Sequence, residues 1–294
     1  MTESLKNQFL ATGCHVTVAE PMRLHTTFRI GGPAQLFVEP ENIAGVAAVC
    51  RLCHAQNIAC HVLGNGSNLL VADEGVSGVM LSLGSRLSAI RREGNDLIAQ
   101  SGATLTQVCR FAQREGLAGL EFAFGIPGSV GGAAYMNAGA YGGEIGNVVT
   151  RVDALDADNT LQSLEAAVLG FGYRTSLFQQ GGWVVVGVRF SLMPDDPAAI
   201  DERMHNIMSR RLAKQPLDLP SAGSTFKRPE GAYAAVLIEQ CGLKGFAVGG
   251  AEISRKHAGF IVNTGRATCA DVLALCHIVQ QRVLAQTGFA LEME

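Results

Sequence analysis

The chain has 294 residues, and at roughly 150 per domain that length predicts about two domains. Its 23 Lys and Arg against 26 Asp and Glu leave a formal charge of −3, which argues against a nucleic-acid binder. With 48% hydrophobic and 17% charged residues the chain can bury a sizeable core. Glycine is the outlier at 35 residues, about 12% against a usual ~7%. The glycines follow no period, which excludes collagen and assigns them to loops or close backbone approach. These features fit a cytosolic enzyme.

From Met1 to Glu20 polar residues interrupt every apolar run, so no secretory signal is expected. Leu36 to Glu39 reads as a short strand, followed by a helix from about Glu41 to Asn57 and a second strand over Cys60 to Leu63. That strand enters Gly64-Asn65-Gly66-Ser67-Asn68, after which Leu69-Leu70-Val71 is too short for a helix. A dinucleotide fingerprint needs a helix and a third glycine there, so a Rossmann site is rejected. Ile90 to Ser101 predicts paired strands turning at Glu93-Gly94-Asn95. Thr104-x-x-Gln107 resembles a capping box opening a helix that Gly116 closes.

A second glycine-rich segment runs Gly125-Ile126-Pro127-Gly128-Ser129-Val130-Gly131-Gly132-Ala133. The uncharged stretch from Phe122 to Gly143 around it is long enough to span a bilayer, but its glycines, Pro127 and Asn137 make it a poor spanning helix. No membrane span is expected. Val148 to Leu155 and Trp183 to Leu192 read as strands bracketing a loop at Tyr173-Arg174-Thr175-Ser176. Pro194-Asp195-Asp196-Pro197 is the best linker candidate. Beyond it Ile200, Met204, Ile207, Met208 and Leu212 keep helical spacing. A last helix spans roughly Thr268 to Gln286 and stops at Gly288, and Phe289 to Glu294 reads as a final short strand. The pattern predicts an α+β architecture with a glycine-rich front half and a smaller back domain.

The eight cysteines follow no compact disulfide framework. Cys50-x-x-Cys53, with Cys60 behind it, shares one stripe of the first helix with Ile43 and Val46, which favours packing over metal or redox use. No metal site is expected.

Two glycine-rich loops after apolar strands can offer successive backbone N–H groups to a phosphate, with Ser67, Asn68 and Ser129 as neutral donors. The alternative is that both are merely tight turns. Ser224, in Ala222-Gly223-Ser224-Thr225-Phe226-Lys227, lacks the pattern of a nucleophile elbow. It suits proton donation, or simply caps the next turn. Arg211 and Lys214 either complement a helix dipole or bind a pyrophosphate from one helix face. Arg174 is the one charge between Ala166 and Gly187, so it calls for an anionic partner.

Together these segments resemble the UDP-N-acetylenolpyruvoylglucosamine reductase (MurB) family. The two glycine loops carry the resemblance with His25 to Gly32, Asn137 to Gly142, Tyr173 to Ser176, Ala222 to Lys227 and Lys256 to Asn263, all in order. The short passage from Arg174 to Trp183 matches the family's shorter form. The resemblance implies a two-lobed FAD-binding domain of the vanillyl-alcohol-oxidase type over residues 1–194, with lobes of about 22–88 and 89–194. A smaller α/β substrate-binding domain would follow over 195–294. It implies non-covalent FAD held by Gly64, Asn65, Gly66, Ser67, Asn68, Gly125, Gly128, Ser129, Gly132, Ala133 and Ile145, with NADPH as hydride donor. The implied substrate is UDP-N-acetylglucosamine enolpyruvate, bound by Arg211, Lys214 and His257. Ser224 would donate the proton, and Arg174 and Glu294 would stabilise the enolate-like intermediate. Family members usually continue past the second acid of Leu291-Glu292-Met293-Glu294, so Glu294 is expected to be frayed. The competing readings are an FAD-dependent oxidase of small alcohols on the same loops and a catalytically silent nucleotide binder.

Overall fold

The structure is a computed structural model that describes residues 2–294. Its contacts divide the chain into two compact units. The first comprises residues 1–20, 35–65 and 77–209, and the second 21–34, 66–76 and 210–294.

In the first unit, α1 (Thr2–Leu10) leads into a four-stranded sheet of β1 (His15–Pro21), β2 (Pro33–Glu39), β3 (Cys60–Leu63) and β4 (Val76–Ser82), in the order β1-β2-β4-β3. Helix α2 (Ile43–Ala55) connects β2 to β3. It begins two residues later than expected because Asn42 caps it, its side chain accepting from Gly45 N. Cys53 is buried on this helix beside Val46 and Val49. All eight cysteines are free thiols.

A second sheet holds β5 (Ile90–Glu93), β6 (Asp96–Gln100), β7 (Val149–Leu155), β8 (Leu161–Glu165) and β9 (Val184–Ser191), antiparallel throughout in the order β8-β7-β9-β6-β5. The β5–β6 turn falls at the expected Glu93-Gly94-Asn95, where Gly94 supplies a φ of 62°. Helix α3 (Leu105–Arg114) starts at the expected capping box, made in both directions by Thr104 and Gln107. It buries Leu105, Val108, Cys109 and Ala112, the i, i+3, i+4, i+7 stripe of an amphipathic helix. Helix α4 (Val130–Met136) forms within the second glycine-rich segment, although Gly131 and Gly132 are poor helix formers. Its glycine is nevertheless required: a Cβ on Gly131 would sit 2.8 Å from Ser101 Cβ.

The Pro194–Pro197 segment is tied down on both sides. Met193 and Pro194 pair with Ala118 and Leu117, Asp195 N donates to Gly116 O at 2.9 Å, and Pro197 opens α5 (Pro197–Lys214). The division between the compact units falls later, at residues 209/210 inside α5.

The second unit contains α6 (Ala234–Gln240), a three-stranded antiparallel sheet of β10 (Ala247–Val248), β11 (Ala251–Ile253) and β12 (Ile261–Asn263), and α7 (Cys269–Thr287). Thr268 and Asp271 form a capping box at the start of α7, and Gly288 ends it at φ 75°. Val272, Leu275, Cys276, Val279 and Val283 of α7 pack on Phe28, Ile30, Leu237 and Ile253. Segments distant in sequence are laced here by specific bonds. Thr27 Oγ1 donates to Ser221 O (2.7 Å), Asn263 Nδ2 donates to Phe28 O (3.1 Å), and Asp73 accepts from Cys269 N (2.8 Å) and Ala270 N (3.0 Å). The expected final strand reduces to a single bridge, Phe226 to Met293. No helix among the described residues is long and apolar enough to cross a membrane.

Candidate active site

The first glycine loop leaves β3 at Leu63. In the first unit it is held against the second loop: Asn65 Nδ2 donates to Pro127 O, and a Cβ on Gly64 would lie 2.3 Å from Ser129 Oγ. Ser129, only 3% exposed, caps α4 by accepting from Gly132 N at 3.3 Å, while Gly128 O accepts from Leu105 N at 3.0 Å. Gly66 has φ 58° and meets His25 within the second unit, to which both belong, and a Cβ on it would fall 2.0 Å from His25 O. Its carbonyl accepts from Thr27 N at 3.0 Å. The main-chain amides of residues 65–68 donate to no protein acceptor among the described residues. Four neutral donors left over in one loop fit a cofactor diphosphate, so the group that the sequence implies passes this test. Ala133 and Ile145, also expected at the cofactor, are buried, and Ile145 N is committed to Ala138 O.

Arg174 sits at φ 56° in a tight turn closed by reciprocal bonds between Gly172 and Thr175, each 3.2 Å. A left-handed non-glycine residue costs about 1–2 kcal/mol, so the surroundings must hold it there. Asn137, which caps α4 in the left-handed conformation, donates from Nδ2 to Gly172 O at 2.9 Å. Ser176 Oγ donates to Tyr135 O at 2.7 Å, and Gln179 Nε2 to Arg174 O at 2.9 Å. The guanidinium lies over the Tyr173 ring, 5.3 Å from its centroid.

In the second unit the structure brings three expected residues together. Ser224 bridges to Phe260, Thr225 N donates to Gly259 O at 2.8 Å, and Thr225 O accepts from Glu294 N at 2.9 Å. Glu294 is therefore pinned beside Ser224 rather than frayed, since the same pairing continues through Lys227 N to Glu292 O (2.8 Å) and the Lys227–Glu292 ion pair. His257 belongs to the turn before Gly259: its Nδ1 accepts from Gly259 N at 3.2 Å, and its ring packs edge-on against Phe260. That bond fixes the neutral tautomer, leaving Nε2–H as the donor. Lys256 Nζ donates to Leu212 O at 2.6 Å, tying this turn to the end of α5, where Arg211 is 5% exposed and Lys214 is exposed. The sequence assigns no role to Gln179, nor to Asn137 and Lys256, which open two of the family-like segments, because no local pattern names the carbonyl each one bonds. Among the described residues no group of three or more His, Cys, Asp or Glu is arranged to hold a metal ion.

Burial pushes the His257 imidazole below its ordinary value of 6.5, and the Lys244 charge adds to that effect. A depressed folded-state value means the unfolded chain takes the proton first as pH falls. The stability contributed by neutral His257 is thus present above 6.5 and lost as pH drops through the lower folded-state value. Thermal melts at pH 7.5 and 5.5 should show wild type losing more than His257→Gln on acidification. Equal losses would refute this assignment.

A family model for an FAD binding domain matches residues 34–165, and one for the C-terminal domain of UDP-N-acetylenolpyruvoylglucosamine reductase matches 215–294. The reductase of that name from Clostridium botulinum is 47% identical over 280 residues, covering 95% of this chain and 91% of its own. The chain belongs to the UDP-N-acetylenolpyruvoylglucosamine reductase family. The crystal structure of the reductase (MurB) from Thermus caldophilus matches with a TM-score of 0.81 at 35% identity, covering 96% of this chain and 98% of that one. A solvent-stable cholesterol oxidase covers 64% of this chain and 39% of its own at 16% identity and a TM-score of 0.54, a likeness of fold alone. The expected fold class, a vanillyl-alcohol-oxidase-type flavin domain with a smaller C-terminal domain, agrees with these reductase and oxidase matches.

Proposed function

We propose that this reductase uses NADPH to convert UDP-N-acetylglucosamine enolpyruvate to UDP-N-acetylmuramate in peptidoglycan precursor synthesis, in the cytoplasm. The observation that carries the reading is the pairing on Thr225, which sets Ser224 and Glu294 side by side with the His257 turn against them. FAD, when bound, supplies the hydride carrier between NADPH and the substrate's enolpyruvyl methylene carbon. The loops at 64–68 and 125–133 would hold it, the first through its main-chain amides, with the Ser67, Asn68 and Ser129 side chains as further neutral donors. Arg211, Lys214 and His257 bind the UDP-sugar. Its diphosphate takes the α5 cations, and the His257 Nε2–H donates to a substrate oxygen.

As charge develops on the enolpyruvyl group, Arg174 and the Glu294 carboxyl stabilise it, and the Ser224 hydroxyl delivers a proton to the neighbouring carbon. Flavin binding is assigned to the chain up to about Pro194 and substrate binding to the chain after it. The two matched family models lie one on each side of that point. The test is anaerobic: FAD-supplemented protein with NADPH, before and after addition of UDP-N-acetylglucosamine enolpyruvate. Sustained NADPH loss that starts only with the substrate is expected. Untouched NADPH, or rapid flavin reoxidation by O₂ with no demand for NADPH, would overturn the proposal.

A further inference from the structure

The Arg174 turn is joined to α4 by Ser176 and Gln179, which bond Tyr135 O, and to the end of that helix by the Asn137 carboxamide, the group that reaches the turn's own Gly172. Asn137 is 1% exposed and sits at φ 43°, ending α4. Its Oδ1 accepts from Gly146 N at 2.8 Å, and its Nδ2 donates to Gly172 O at 2.9 Å. Gly172 is also the residue whose N–H and C=O close the turn on Thr175. One planar group therefore fixes the segment after Ile145 and the base of the Arg174 turn in a single geometry. The other end of α4 is capped by Ser129 in the second glycine loop, seven helical residues away, or about 10 Å.

We infer that Asn137 is a positioning residue for Arg174. Through Gly172 it sets where the guanidinium stands relative to α4 and the second glycine loop at its start. A buried amide that satisfies two backbone groups resists displacement, because breaking either bond leaves a polar group unpaired out of water. The left-handed φ at Arg174 is held by such bonds and relaxes when they go, carrying the side chain with it. A misplacement of about 1 Å at a group that stabilises developing charge costs up to ~100-fold in rate.

This inference rests on the reading of Arg174 as the residue that stabilises the intermediate. The test therefore uses two substitutions at Asn137 and a cycle with Arg174, all on the FAD-loaded protein. Asn137→Asp keeps an acceptor for Gly146 N but turns a carboxylate oxygen toward Gly172 O. Asn137→Gly keeps the left-handed backbone and removes both bonds. Both should slow the substrate half-reaction by ~10–100-fold. Flavin reduction by NADPH should stay within about twofold of wild type, and the flavin absorbance spectrum should not move. On an Arg174→Ala background, adding Asn137→Gly should cost less than about twofold more, because the two residues act as one unit.

Full additivity on that background would overturn the inference, as would an equal slowing of flavin reduction in Asn137→Gly. If Arg174→Ala alone left the substrate half-reaction unchanged, the reading of Arg174 would fail first and this inference with it. The single-variant measurement separates that failure from the other two.

Discussion

Replacing Ser224 with alanine should lower the rate of substrate reduction by ~10²–10⁴-fold, the range lost when a positioned proton donor is removed. Flavin reduction by NADPH should proceed at the wild-type rate, because it uses no proton from Ser224. The two half-reactions, followed separately by stopped-flow flavin absorbance, make the distinction. The substitution leaves the fold in place, since Ser224 is held by a backbone bridge to Phe260 and the bonds of Thr225 rather than by its own hydroxyl. Thermal stability should shift by no more than about 1 kcal/mol. Turnover within a few-fold of wild type would remove Ser224 from the chemistry and leave it as a turn residue.

Gly66→Ala should be the most damaging small substitution in the first glycine loop. Two effects add there. The left-handed φ of 58° costs an alanine about 1 kcal/mol, and its Cβ would stand 2.0 Å from His25 O and 3.0 Å from Thr26 Cα. Backbone has to move to relieve that contact, and the bond from Thr27 N to Gly66 O goes with it. We expect a loss of about 2–4 kcal/mol and flavin content below a tenth of wild type after gel filtration. Gly231→Ala is the control, because Gly231 shares the positive φ but a Cβ there meets nothing within 4 Å. It should lose about 1 kcal/mol and keep its flavin. Equal behaviour of the two variants would mean that strain alone, and not the approach to His25, governs the loop.

The elements with local signals could be read from the sequence. The Thr104 capping box, the Glu93-Gly94-Asn95 turn and the Thr268 to Gly288 helix each carry their boundary chemistry within a few residues. The features that local patterns do not announce depend on distant partners. The glycine at position 131 of α4 is set by Ser101, which leaves no room for a side chain there. The expected linker at Pro194 is held by residues 116–118, nearly 80 positions earlier. Glu294 is ordered by Thr225, which no pattern near residue 294 announces.

The site divides the same way. Arg174 and Ser224 stood out as residue types in unusual surroundings, and the family resemblance gave them roles. Asn137 and Lys256 open family-like segments but show no role there, because a carboxamide or an ammonium that bonds a remote carbonyl has no sequence period.

The second unit's three-part origin has a consequence for synthesis. Phe28, Ile30 and Asp73 leave the ribosome early, but most of the side chains and the amides that receive them lie beyond residue 220. The 196 residues between Asp73 and Cys269 take about 10–40 s to translate at ~5–20 residues per second. Throughout that interval the nascent chain carries apolar segments with no core to enter. Closing contacts across such separations is also the slow step of folding. The yield of active protein should therefore depend on what shields residues 21–34 and 66–76 during translation, and a chain interrupted before α7 has no native second unit to form.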